Sequence, residues 1–254
     1  MENYIKQIYE NNVVFNDLIN KKELSVSRRN GNIFDALYID ENFDIKFVEY
    51  IVNELKKTND LSVVFVLYDS IKLDNILYNR GFRISNYQYI IESKNYSAIN
   101  NYGISSNLDG EGKKFYLNVI NKIDKLNCDY QNNKFINIDD TWFNNEEFTY
   151  RIYRKDGKIV GIVDYRVIEN DDNYDNAKND MFNYNNKLCT RFIFSEEKDI
   201  LEDMIKDLIN TYKKDIIINI TYSEKNLREV SKMMYGKFNY CRYILEDNYN
   251  SMEI

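Results

Sequence analysis

The chain has 254 residues, 44% hydrophobic and 30% charged, so it carries enough apolar content for a packed core. A formal net charge of −7 excludes a general nucleic-acid or anionic-membrane binder, whose phosphate contacts need a positive footprint. The absence of His excludes Ser-His-Asp and Cys-His catalysis and His-ligated metals, and three widely spaced Cys (Cys128, Cys189, Cys241) form no zinc pattern.

Taken in chain order, residues 32–40, "NIFDALYID", read as a strand. "FDIKFVEYIVNELKKT" follows as a helix with Phe47, Val48, Ile51, Val52 and Leu55 on one face. "LSVVFVLYD", residues 61–69, is continuously apolar and β-branched, the pattern of a buried strand. A short helix over 71–79 comes next, stopped by Gly81, which takes positive φ without a Cβ clash, and then the strand "RISNYQYIIES". A linker is expected over 94–112. The Gly-containing turn "DGEGKK" leads from it into a helix with Phe115, Tyr116, Val119, Ile120, Ile123 and Leu126 on its apolar face.

Two alternating runs in "EEFTYRIYRKDGKIVGIVDYRVIE" flank Asp156-Gly157, the pair favoured in tight hairpin turns, with Gly161 reading as a bulge or close-packing glycine. Trp142 just before it reads as a buried anchor, and the polar residues 170–186 after it as a loop. Residues 187–195, "KLCTRFIFS", form the next strand. A helix over 196–214 places Ile200, Leu201, Met204, Ile205, Leu208 and Ile209 on one face, with Ser195, Glu196 and Glu197 as a capped, acidic start. "DIIINITYS", "NLREVSKMMYGKF" and "NYCRYILED" then repeat strand, short helix and strand.

Corresponding elements of the two series lie roughly 155 residues apart, which points to an internal duplication. The expected organisation is an abbreviated unit over 1–93, the linker over 94–112 and a second unit over 113–254. Each unit would be α/β, a mixed, mostly antiparallel sheet flanked by helices. No apolar run of about 18 residues and no leader pattern is present, so neither a membrane span nor a secretory signal is expected; with free thiols, the reading is cytoplasmic.

The strand, the short helix ending in Leu77-Tyr78-x-x-Gly81-Phe82 and the closing strand resemble the C-terminal end of a GNAT-superfamily N-acyltransferase domain. The hairpin "YRKDGKIVGIVDY" is similar to that family's second and third strands. The resemblance covers most of the second unit and the latter part of the first, so the whole chain resembles a tandem GNAT protein. It implies an acyl-CoA cofactor, acetyl-CoA or another, transferring its acyl group to a small-molecule or peptide amine, without nucleic acid, membrane or metal. It also implies that the end of the central strand, Phe192, Ile193, Phe194 and Ser195, holds the pantetheine arm through its backbone. Tyr78 or Tyr235 would protonate the departing thiolate, and Asp164, Glu146 or Glu147 would serve as the base.

The family's pyrophosphate loop is Gly-rich. Here the corresponding residues 40–47 and 195–202 contain neither Gly nor Arg and are acidic. An acidic side chain at a helix start favours the helix by about 0.3–1 kcal/mol but repels a diphosphate. That departure keeps open a second reading, a non-catalytic GNAT-like protein that binds a peptide, a metabolite or a partner. In that case Glu196, Glu197 or Asp44 would block the phosphate end of the cleft.

Overall fold

The structure, a computed structural model, describes residues 3–9, 12–29, 33–34, 37–57, 63–97, 101–131, 143, 148–169, 184–221 and 224–245. Glu146, Glu147, Trp142 and most of the connection 170–186 lie outside the described residues. Two compact units form, Met1–Asn86 with Tyr240–Ile254, and Tyr87–Asn239.

The first unit begins with a four-stranded antiparallel sheet, β1 (Tyr4–Ile8), β2 (Asn12–Asp17), β3 (Lys22–Arg29) and β4 (Ile33–Phe34), in that order. No element was expected in β1 to β3, although Val13, Val14 and Phe15 of β2 and Leu24 and Val26 of β3 are buried apolar residues. Then come β5 (Leu37–Ile39), α1 (Ile45–Lys56), β6 (Val63–Val66), α2 (Ile71–Asn79) and the start of β7 (Phe82–Ile91). The apolar face of α1 packs as its periodicity requires: Phe47, Val48, Ile51, Val52 and Leu55 are all buried. Burial of this kind stabilises by about 1.5–3 kcal/mol per large side chain. Gly81 follows the α2 C-cap Arg80 at φ +86°, and its N–H bonds the Tyr78 carbonyl at 3.0 Å.

The second unit contains the rest of β7, β8 (Gly103–Ser105), α3 (Gly110–Gln131), β9 (Thr149–Lys155), β10 (Lys158–Ile168), β11 (Lys187–Phe194), α4 (Lys198–Tyr212), β12 (Asp215–Thr221), α5 (Lys225–Met233) and the start of β13 (Lys237–Leu245). Its strand order is β7-β12-β11-β10-β9-β8, mixed and mostly antiparallel. The hairpin turns on Asp156 and Gly157, both at positive φ (51° and 78°), the geometry of a type I′ turn. Residues 94–112 carry β8, antiparallel to β9, and the first turn of α3; three residues are too few to show a period.

Both series of elements close with a strand that changes units. Residues Cys241 to Ile244 of β13 pair antiparallel with Val66 to Val63 of β6 in the first unit. Residues of β7 from Tyr87 onward complete the second unit's sheet beside β12. Boundaries therefore fall inside β7 and β13.

In the second unit α4 buries all six of its apolar-face residues. Gly161 lets it approach β10: a Cβ there would stand 2.5 Å from Met204 Sδ. A separate cluster joins Tyr116, Val119 and Ile120 of α3 to Tyr150, Ile152, Ile162 and Phe192 of the sheet.

Candidate functional site

Strands β11 and β12 run parallel for only three rungs, Lys187↔Asp215, Leu188↔Ile216 and Cys189↔Ile217, while β11 continues to Phe194. The pairing of β10 with β11 shows a disturbance at the same place. It passes from Asp164↔Phe192 to Tyr165↔Thr190, so Arg191 is an extra, bulged residue. A bulge re-aims the side chain it carries. Arg191 turns to Asp164, placing Nε 2.7 Å and Nη2 2.5 Å from Oδ2. It also donates to the Tyr150 hydroxyl at 3.0 Å and stacks 4.0 Å over the Phe148 ring.

Asp164 is fully buried on β10, and Tyr116 of α3 donates a third bond to its Oδ2 at 3.0 Å. Its Oδ1 has no hydrogen-bond partner among the described residues. Burial pushes the Asp164 carboxyl above its ordinary range, with the Arg191 charge and the Arg191 and Tyr116 hydrogen bonds pulling the other way. The result is a carboxylate held firmly through one oxygen, while the other is buried without a hydrogen-bond partner among the described residues.

At the far end of β11 a cavity of about 390 Å³ opens between the starts of α4 and α5. Its walls are Ile193, Phe194, Ser195 and Glu196 at the strand end, Leu201 of α4, residues 224–227 at the start of α5, and Lys122 of α3. Helix α4 starts at an N-cap, Glu197, whose side chain makes no capping bond. Ser195 Oγ instead accepts the Glu197 N–H at 3.3 Å and donates to the Val160 carbonyl at 2.8 Å, tying the strand end to β10. The first turn therefore keeps N–H groups without a side-chain cap, the positive end of the helix dipole. Glu196, at the cavity wall, is ion-paired with Lys122 at 2.9 Å, and Asn226 of α5 donates to its carbonyl at 3.2 Å.

Of the residues expected from the sequence, Ile193, Phe194 and Ser195 line the cavity. Phe192 points elsewhere, into the apolar cluster, with its ring 4.9 Å from that of Tyr116 and stacked 6.4 Å from that of Phe194. This row of rings connects the surroundings of Asp164 with the cavity wall. Tyr235 stands past the C-terminal end of α5, 87% exposed and at φ +58°; nine residues of helix put about 14 Å between the two ends of α5. Tyr78 belongs to the first unit, half-buried, edge-on to Tyr243 at 6.5 Å and under the Arg83 guanidinium at 5.5 Å. Asp44 caps α1, accepting the Lys46 N–H at 2.9 Å. Arg191, Tyr116 and Lys122 were not expected in a site. A charged residue inside the apolar strand "KLCTRFIF" was the one visible signal for Arg191.

Among the described residues, no helix is long and apolar enough to cross a membrane, and no group of three or more Cys, Asp or Glu is placed to hold a metal. The fold is α/β, a mixed, mostly antiparallel sheet flanked by helices. No protein-family model matches the chain, and no curated protein does. Similar solved structures include an acetyltransferase from the GNAT family of Colwellia psychrerythraea, at 9% identity and TM-score 0.47, over 92% of this chain and 85% of that one. A functionally unknown conserved protein of Staphylococcus epidermidis aligns at 11% identity and TM-score 0.43, over 93% and 90%. L-PGS from Bacillus licheniformis aligns at 8% identity and TM-score 0.38, over 96% and 84%. Likeness at this level assigns no residue a role.

Proposed function

We propose that the second unit binds an acyl-CoA and transfers its acyl group, acetyl in the simplest case, to an amine on a small molecule or peptide. The observation that carries this reading is the parting of β11 from β12 after Cys189↔Ile217, with the cavity at its wide end. Along Ile193, Phe194 and Ser195 the edge of β11 that β12 has left suits the amides of a pantetheine arm, as an added strand would. The uncapped α4 start and Lys122 suit its phosphates. In the transfer step the amine nitrogen attacks the thioester carbonyl, a C–N bond forms and the C–S bond breaks. The amine proton is lost to solvent and the leaving thiolate is protonated by solvent; Asp164, fully buried, does not line the cavity. Neither Tyr78 nor Tyr235 lines the cavity, so neither enters this scheme. The first series of elements serves as scaffold, and the reduced thiols Cys189 and Cys241 suit a reducing cytoplasm.

A second reading, non-catalytic binding of a peptide, metabolite or partner, is favoured by one observation: Glu196 occupies the cavity wall where a diphosphate would approach, in a turn without glycine. Thermal unfolding with and without millimolar acetyl-CoA separates the two. Ligand at about 100 times its Kd adds about 2.7 kcal/mol to the native state, a rise of several degrees. A midpoint that does not move sinks the acyl-CoA reading and leaves the second.

A further inference from the structure

Between the last rung of the β11–β12 ladder and the cavity, the gap is bridged by a side chain. Asn219 lies two residues past Ile217 on β12, where the strands begin to part. Its Nδ2 donates to the Thr190 carbonyl at 2.7 Å, and its backbone N–H donates to Thr190 Oγ1 at 3.4 Å. Thr190 Oγ1 in turn donates to the Ile217 carbonyl at 3.2 Å. The strands are thus stitched at the vertex by two side chains in place of a main-chain ladder.

The orientation of Asn219 is set from behind. Gln88 Nε2 donates to Asn219 Oδ1 at 2.8 Å, and Asn239 Nδ2 donates to Gln88 Oε1 at 2.5 Å. With its carbonyl held by Gln88, Asn219 must present its NH₂ to Thr190 O and, at 3.7 Å, to Cys189 Sγ. Thr190 and Gln88 are 0% and 2% exposed. Asn219 and Asn239 are not what strand formation asks for, since Asn is depleted in strands and Asn219 interrupts "DIIINIT". A break in local pattern that is fully satisfied by hydrogen bonds marks a place where specificity outweighs propensity.

We infer that Asn219 is the floor of the acyl-binding wedge and limits the ligand to short acyl groups; the inference rests on the acyl-CoA reading above. A strand rises about 3.3 Å per residue, so the wall residues Ile193 and Phe194 stand about 10–13 Å along β11 from Thr190. A thioester entering from the cavity runs down this wedge, and its acyl tail meets the Asn219 amide. A long alkyl tail advances only by displacing Asn219, which strips the Thr190 carbonyl and Gln88 of their partners inside the sheet. Acetyl and propionyl fit above the floor; octanoyl does not.

The test is isothermal titration of the full chain with CoA, acetyl-CoA, butyryl-CoA and octanoyl-CoA, on the native protein and Asn219→Ala. The native protein should bind acetyl-CoA at least about tenfold more tightly than octanoyl-CoA. Asn219→Ala should bring the two within about threefold while leaving free CoA unchanged. Asn219→Ser, smaller than Asn but still polar, supplies the same comparison if the Ala variant does not fold. Equal affinity for all chain lengths in the native protein, or an unaltered ranking in the variant, overturns the inference and leaves the acyl-CoA reading standing. No binding of any CoA species rejects that reading and this inference with it.

Discussion

The order strand, helix, strand, helix, strand occurs twice, from β5 to β7 and from β11 to β13, and the two series treat the same junction in opposite ways. In the first, β5 is paired with β6 over its whole length, Leu37↔Val64 to Ile39↔Val66, and the Leu67 N–H still reaches the Ile39 carbonyl at 2.8 Å. The following turn is filled by carboxylates: Asp40 accepts the Asn42 N–H at 2.8 Å and Asp44 caps α1. In the second, β11 outruns its ladder, carries a bulge, and leads into a helix without a side-chain cap. A strand–helix junction becomes available to a ligand when ladder and cap are withheld, and only the second junction withholds both.

The bulge offers the largest test of that contrast. Arg191→Leu removes the cation that holds Asp164, which then stays fully buried with Tyr116 as its remaining bonded side chain. Breaking a buried pair from one side costs about 3–5 kcal/mol, so the denaturant midpoint should fall sharply. Asp164→Asn added to Arg191→Leu should recover part of the loss, because the two residues act as one unit. A single variant within 1 kcal/mol of the native protein on urea unfolding would show that the bulge is not anchored by this pair.

Helix ends give the next contrast. Gly81 and Tyr235 both follow a C-cap in the left-handed region, at φ +86° and +58°. By position after its helix, Tyr235 therefore stands where Gly81 does. The α5 end is a Schellman turn, with Tyr235 N–H on the Lys232 carbonyl at 3.0 Å and Gly236 N–H on that of Ser231 at 2.8 Å. Gly81→Ala should cost about 1–2 kcal/mol, and Tyr235→Gly should recover up to about that amount at the other end, since its exposed ring buries little. Chemical denaturation of both variants checks the pair of signs.

What was legible in the sequence follows the range of the forces involved. The faces of α1 and α4, the Asp156-Gly157 turn and the Gly81 stop depend on neighbours within a few residues, so period and turn chemistry reveal them. The family resemblance pointed to Phe192, Ile193, Phe194 and Ser195, of which the last three line the cavity. Pairing of β13 with β6 and the position of β8 depend on registers between strands distant in sequence, which leave no local mark, and the bulge at Arg191 shows only as a charge inside an apolar strand. Asp164 was noticed for its place near the hairpin. Its partners Arg191 and Tyr116 lie 27 and 48 residues away and meet it only in the folded unit.

The smallest expected effects concern the two N-caps, and they bear most directly on which junction can hold a ligand. Asp44→Ala deletes a real cap and should cost about 1 kcal/mol of stability, the usual loss when Asp at an N-cap becomes Ala. Glu197→Ala deletes no capping bond, so its stability should stay within about 0.5 kcal/mol of native. What Glu197 does supply is negative charge next to the free N–H groups of α4, where an incoming phosphate competes for the same positive field. The two changes should therefore separate stability from binding: Asp44→Ala lowers the melting midpoint and leaves CoA affinity alone, whereas Glu197→Ala leaves the midpoint alone and tightens CoA. If Glu197→Ala destabilises as much as Asp44→Ala, the α4 start is capped in solution, and the difference drawn between the two junctions disappears.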